Sequence, residues 1–154
     1  MMAGSDSLRN YAILGAYDDI KALLSGGGNP LGADSSGLNS LHYVVWNGHI
    51  DCLKLLLAND MGVNEEGKKE SCINSQSELG YTALHVAALE GMEAYESIKL
   101  LLLAGADPTK ADVEGNTPED LARRAGRGDC VALLAAACET KTGQGGGLGG
   151  EAAG

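Results

Sequence analysis

Hydrophobic positions in this chain fall into short blocks separated by glycines, not into one long stripe. Leu84, Val86, Ala87 and Ala88 cluster after Thr82, and Gly91 interrupts them. Ile98, Leu101 and Leu102 then resume before Ala104-Gly105. Apolar positions three and four apart predict an amphipathic helix, so this stretch predicts two short helices with a break between them. Thr82 predicts the start of the first, because its hydroxyl can accept an otherwise unpartnered backbone N–H. Thr117-Pro118 predicts another start, since proline at the first helical position gives up no useful donor. Gly91 predicts a stop through a left-handed cap, and Gly15, Gly48 and Gly126 occupy equivalent places.

The same block pattern recurs along the chain. The segment from Gly80 reads GYTALHVAALEGMEAYESIKLLLLAGADPTK, an earlier copy starts at Gly37, and a later one starts at Gly115. A first, degenerate copy runs from Leu8 to Ser36. Gly37 and Gly80 lie 43 residues apart, and Gly80 and Gly115 lie 35 apart. Both spacings reduce to about 33 if ten residues are inserted before Gly80 and two after Gly91. Small residues at Ala87, Ala88 and Ala122 let paired helices approach closely.

These residues resemble the ankyrin repeat, whose signature is a period of about 33 with a Thr-Pro-Leu-His-like start. The starts here are Asn39-Ser40-Leu41-His42, Thr82-Ala83-Leu84-His85 and Thr117-Pro118-Glu119-Asp120. Gly48-His49, the leucine runs Leu55–Leu57 and Leu100–Leu103, and Gly105-Ala106-Asp107 complete the match. The resemblance implies an all-α solenoid of stacked helix-turn-helix units with projecting hairpin-like loops, or fingers. It divides the chain into an extension over 1–6, repeats over about 7–36, 37–79, 80–114 and 115–139, and a glycine-rich flexible tail over 140–154. Arg9 and Asp120 replace the usual histidine in the outer two repeats, which act as caps with one face in water. Met61-Gly62 replaces the usual Ala-Asp and predicts a distorted turn.

The family's usual work is binding other proteins through finger tips and the exposed side of each first helix. Carried over position by position, the first interior finger and its helix offer Ser35, Ser36, Leu38, Trp46 and Asn47. The next offers Glu78, Leu79, Tyr81, Leu89 and Glu90, and the last offers Val113, Glu114, Asn116 and Arg124. Trp46 is the sole tryptophan, and adjacent apolar residues rimmed by charge mark interaction sites. Packing between repeats is the competing reading of Trp46 and Leu89. The insertion within 65–78, EEGKKESCINSQSE, is polar and reads either as a functional loop or as a tolerated surface insertion. The extra residues near Met92–Glu96 predict a longer helix end or a bulged connection without chemistry. Small four-repeat members of the family often serve as inhibitors or assembly factors of larger enzymes, and the resemblance implies a non-catalytic role of that kind.

Composition narrows the alternatives. In 154 residues, 11 basic against 21 acidic side chains give a net charge of −10, which speaks against binding nucleic acid. It reads either as a source of solubility or as favouring a protein partner with a basic face, through faster encounter. No run reaches 18 apolar residues, so no membrane span is expected. The N-terminus lacks a basic start followed by an apolar run, so no signal peptide is expected there. A monomer in the cytoplasm or nucleus is expected.

Chemistry is sparse. His42 and His85 occupy the same repeat position, which predicts a structural role in fixing the finger turn. His49 is expected to support the loop between helices. Cys52 and Cys130 also match one another and predict buried small hydrophobes. Cys72 sits in the polar insertion and supports a second reading: a thiol-dependent redox or catalytic protein. The absence of a Cys-x-x-Cys pair argues against a closed zinc site, and neither metal nor cofactor is expected. Gly26-Gly27-Gly28 lacks the Lys and Ser/Thr of a phosphate loop. Arg123, Arg124 and Arg127 lie beside Glu119 and Asp120 and predict a solvated helix face.

Overall fold

A computed structural model describes residues 3–59, 61–63 and 66–142. The described residues form four helix pairs: α1 (Ala3–Leu14) with α2 (Tyr17–Ser25), α3 (Ser40–Trp46) with α4 (Ile50–Ala58), α5 (Ala83–Glu90) with α6 (Ala94–Leu103), and α7 (Pro118–Arg124) with α8 (Gly128–Thr142). The first helices α1, α3, α5 and α7 touch in sequence and form one layer. The second helices α2, α4, α6 and α8 form the layer behind it. A short antiparallel pair, β1 (Met61–Val63) and β2 (Lys69–Ser71), follows α4, with Gly62 opposite Glu70.

The helices start where the expected caps stand. The Thr82 hydroxyl accepts the His85 N–H, and the Thr117 hydroxyl accepts that of Asp120. Asn39 does the same for α3, accepting from Leu41 and His42. In each case the side chain three residues on reaches back to the cap N–H, closing a capping box. The core repeats with the sequence. Leu8, Leu41 and Leu84 are buried at one register of the first helices, and Leu56, Leu101 and Leu134 at one register of the second. Each fully buried side chain of this kind stabilises the stack by roughly 1.5–3 kcal/mol.

Three expectations need correction. Gly15, Gly48 and Gly126 are left-handed as predicted, but Gly91 is extended, at φ −61° and ψ 138°. The two extra residues of this repeat enter the connection and the first turn of α6, which changes the exit from α5. Glycine is still required there, because a Cβ would lie 2.8 Å from the Ala87 Cα and carbonyl oxygen. The insertion is the second correction. Cys72 and Ile73 are buried in the core, and Ile73 falls in register with buried Pro30 and Pro108. The spacings 30 to 73 and 73 to 108 match those of the finger glycines, so the repeat has resumed by Cys72 and the β1–β2 hairpin takes up the insertion. The third correction concerns the ends: α1 begins at Ala3, inside the expected extension, and α8 runs through 140–142. The remainder of the expected tail, 143–154, lies outside the described residues.

Candidate functional site

Each finger is a tight turn built by local chemistry. At the first interior finger Asp34 accepts the N–H groups of Ser36 and Leu38, and the Asp34 N–H returns to the Leu38 carbonyl. At the last, Asp112 accepts from Glu114 and Asn116 in the same way. Ser77 starts the middle turn through its hydroxyl, which accepts the Tyr81 N–H. A glycine closes each turn with φ between 80° and 84°, a left-handed conformation in which a Cβ is disfavoured. The fingers are also laced together. The Glu78 N–H donates to the Ser36 carbonyl, and the Val113 N–H donates to that of Leu79, both at 2.9 Å.

The two signature histidines fix this row from inside. The Asn39 N–H points at His42 Nδ1, so the ring proton sits on Nε2, which donates to the Tyr81 carbonyl of the next finger at 2.9 Å. His85 repeats the arrangement, with Thr82 donating to Nδ1 and Nε2 donating to the Asn116 carbonyl. Burial pushes both imidazoles below their ordinary pKa, against the opposing pull of these carbonyls. Both rings are therefore neutral and structural. Arg9, at the histidine position of the first repeat, donates instead to the Gly32 carbonyl. His49 donates to the Ile13 carbonyl across the loops between helices, in line with its expected role.

Between the Gly37 and Gly80 fingers, over the exposed sides of α3 and α5, lies a groove of about 400 Å³. Of the residues expected to bind, it brings together Ser36, Leu38, Trp46, Glu78, Leu79, Tyr81, Leu89 and Glu90. Trp46 is 37% exposed and lies parallel to Tyr43, with ring centroids 6.2 Å apart. The Tyr43 hydroxyl donates to the Asp34 carboxylate, tying this stack to the finger. Burial and that carboxylate push the Tyr43 phenol up to about 12. Burial alone would raise Asp34, but the Tyr43 hydroxyl and the Leu38 and Ser36 N–H groups outweigh it and hold the carboxyl below its ordinary value.

The other expected residues do not line the groove. Asn47 caps α3, donating from its side chain to the Tyr43 carbonyl. Asn116 serves the last finger through its backbone, and Val113, 66% exposed, stands on that finger's tip. Arg124 is exposed on α7. Ser77 and Val86 do line the groove. Val86 reads as core in the sequence, and only the gap between neighbouring first helices turns it into a floor.

The thiol reading meets a direct obstacle. Cys72 is 1% exposed, so a reagent or substrate has no approach to its sulfur. Cys52 and Cys130 are buried as expected, and burial raises their pKa as well. No cluster of metal-ligating side chains occurs among the described residues. Arg123 pairs with Glu119 at 2.6 Å and with Asp120 at 3.7 Å, which matches the expected solvated face.

The profile described as Ankyrin repeats (3 copies) matches residues 67–143, and that described as Ankyrin repeat matches residues 36–67. The chain belongs to the ankyrin repeat family. Ankyrin repeats are protein–protein interaction modules and are typically non-catalytic. This ankyrin chain is 36% identical over 87 residues to mouse protein phosphatase 1 regulatory subunit 27, covering 56% of this chain and 48% of that one. It is 33% identical over 133 residues to human diacylglycerol kinase iota, 83% of this chain and 12% of the kinase. It is 32% identical over 99 residues to bovine ankyrin repeat and SOCS box protein 3, 64% of this chain and 17% of that one. The ankyrin chain thus spans about half of the first of these relatives and a small part of the other two.

Proposed function

We propose that this chain is a non-catalytic binding subunit whose repeat array, about residues 7–139, captures a segment of a partner protein in the groove between the Gly37 and Gly80 fingers. In this reading it acts as a monomer, in the cytoplasm or nucleus, and controls or helps assemble a larger enzyme. The observation that carries the reading is the convergence of eight expected binding residues on one apolar groove with an exposed, pre-stacked tryptophan. Rigid aromatic side chains in such hollows dominate binding energy. One relative is named a regulatory subunit of a protein phosphatase, which fits control of an enzyme by a chain that performs no catalysis.

The test is affinity capture from lysate, followed by titration of the recovered protein against wild type, Trp46→Ala and Leu103→Ala. Leu103 is 77% exposed at the end of α6, on the second-helix layer. Trp46→Ala should weaken binding by about 2 kcal/mol, roughly 30-fold. Leu103→Ala should leave it unchanged. A partner that binds Trp46→Ala at wild-type affinity removes the groove from the interface.

A further inference from the structure

The groove's lining also constrains what can occupy it. Leu38, Tyr81, Val86 and Leu89 supply apolar surface, and Trp46 and Leu79 stand exposed beside them. Glu78 lies at the finger end and Glu90 at the end where α5 stops, so the hollow carries a carboxylate at each extremity. No Lys, Arg or His is among the described residues that line it. Its charge is therefore unanswered among the described residues that line it. The hollow beside Met92 and Tyr95, about 380 Å³, differs in this respect because Arg127 stands among its acids.

Resting on the reading above, we propose that the groove takes an extended peptide segment in which an apolar side chain and an arginine or lysine stand within a few residues of each other. The apolar side chain enters between Leu38, Tyr81 and Leu89, and the cation meets Glu78 or Glu90. An acidic or neutral segment would cover two carboxylates and give them no partner, which costs more than leaving them in water. Arginine suits the site better than lysine. A planar guanidinium can stack on an indole while donating paired hydrogen bonds to a carboxylate. Trp46 is ready for that role, because its stack on Tyr43 and the Tyr43–Asp34 bond hold the ring in place. A volume of about 400 Å³ lies at the lower end of the range of sites that enclose small ligands. It suits a short linear stretch and not a folded domain face.

The experiment uses the full chain and a phage library of random linear twelve-residue peptides. Selections run in parallel on wild type, the double variant Glu78→Gln/Glu90→Gln, and Trp46→Ala. Wild type should enrich peptides pairing an apolar residue with Arg or Lys, with Arg ahead of Lys. The double variant should keep the apolar preference and lose the cationic one. In fluorescence-polarisation titrations of the best peptide, each Glu→Gln change should weaken binding up to about fivefold, and added salt should weaken wild type more than the double variant. Cation enrichment that persists on the double variant would come from the overall charge of −10 and overturns the proposal. Enrichment of apolar peptides without cations, with binding lost in Trp46→Ala, also overturns it but leaves the groove as the binding site. Peptides that bind Trp46→Ala as well as wild type defeat the groove reading itself. Failure to enrich any peptide over an unrelated acidic protein counts against both.

Discussion

Replacing Gly80 and Gly115 separately with alanine isolates what the contact between fingers contributes. Both residues have nearly the same left-handed φ, 83° and 84°. Alanine there costs about 1–2 kcal/mol for the backbone conformation alone. Their surroundings differ. A Cβ on Gly80 would sit 2.8 Å from the Asp112 Cα and the Val113 nitrogen, whereas one on Gly115 meets nothing within 4 Å. The atoms in the way are backbone, so they cannot swing aside as a side chain would. Moving them strains the 2.9 Å bond from the Val113 N–H to the Leu79 carbonyl. Forced overlap in a packed site costs about 1–3 kcal/mol. Gly115→Ala should therefore lose about 1–2 kcal/mol and Gly80→Ala about 2–5 kcal/mol. Alanine also narrows the unfolded ensemble, but equally at both positions, so that effect cancels in the difference. Urea unfolding at 25 °C, followed by far-ultraviolet circular dichroism and Trp46 fluorescence, measures both values once the slopes are shown to agree. Equal midpoints for the two variants, or a larger loss at Gly115, would refute the claim that neighbouring fingers abut at backbone distance.

Two further outcomes follow from buried groups. His42 and His85 have pKa values held down in the folded chain, so below about pH 6.5 the unfolded chain binds protons that the folded chain refuses. Stability is fully present above that pH and declines as pH falls toward the folded values. Urea midpoints measured from pH 7.5 to 5.5 should decrease, and flat midpoints would contradict neutral, buried imidazoles. Ser97 is buried without a partner for its hydroxyl among the described residues, at the register where α4 and α8 carry Cys52 and Cys130. Ser97→Cys should raise stability by about 1 kcal/mol by removing an unsatisfied polar atom. Thermal unfolding of the variant checks this, and an unchanged or lower midpoint rejects it.

The chain's own pattern gave away the parts that are locally determined. The spacing of Gly37, Gly80 and Gly115 marks all three fingers, because each turn needs a left-handed residue at its close. The Thr82 and Thr117 caps were equally legible, since cap and return bond lie within three residues, and the structure adds Asn39 at the same place. Long-range choices were harder to see. Cys72 stands among polar neighbours, and nothing local shows that Ile73 beside it has rejoined the core register. Gly91 looks like its counterparts, but its conformation depends on how two extra residues are absorbed downstream. The groove was half visible. Trp46 and Leu79 stand out by type, whereas Val86 acquires its place only when α3 and α5 lie side by side.

The bonds from His42 to Tyr81 and from His85 to Asn116 both run from one unit to the unit after it. Support is thus handed forward along the polypeptide, and the Gly80 and Gly115 turns are each clasped by the unit before them. Because both anchors lie upstream, a truncation that keeps a unit's predecessor keeps the donor that clasps its turn.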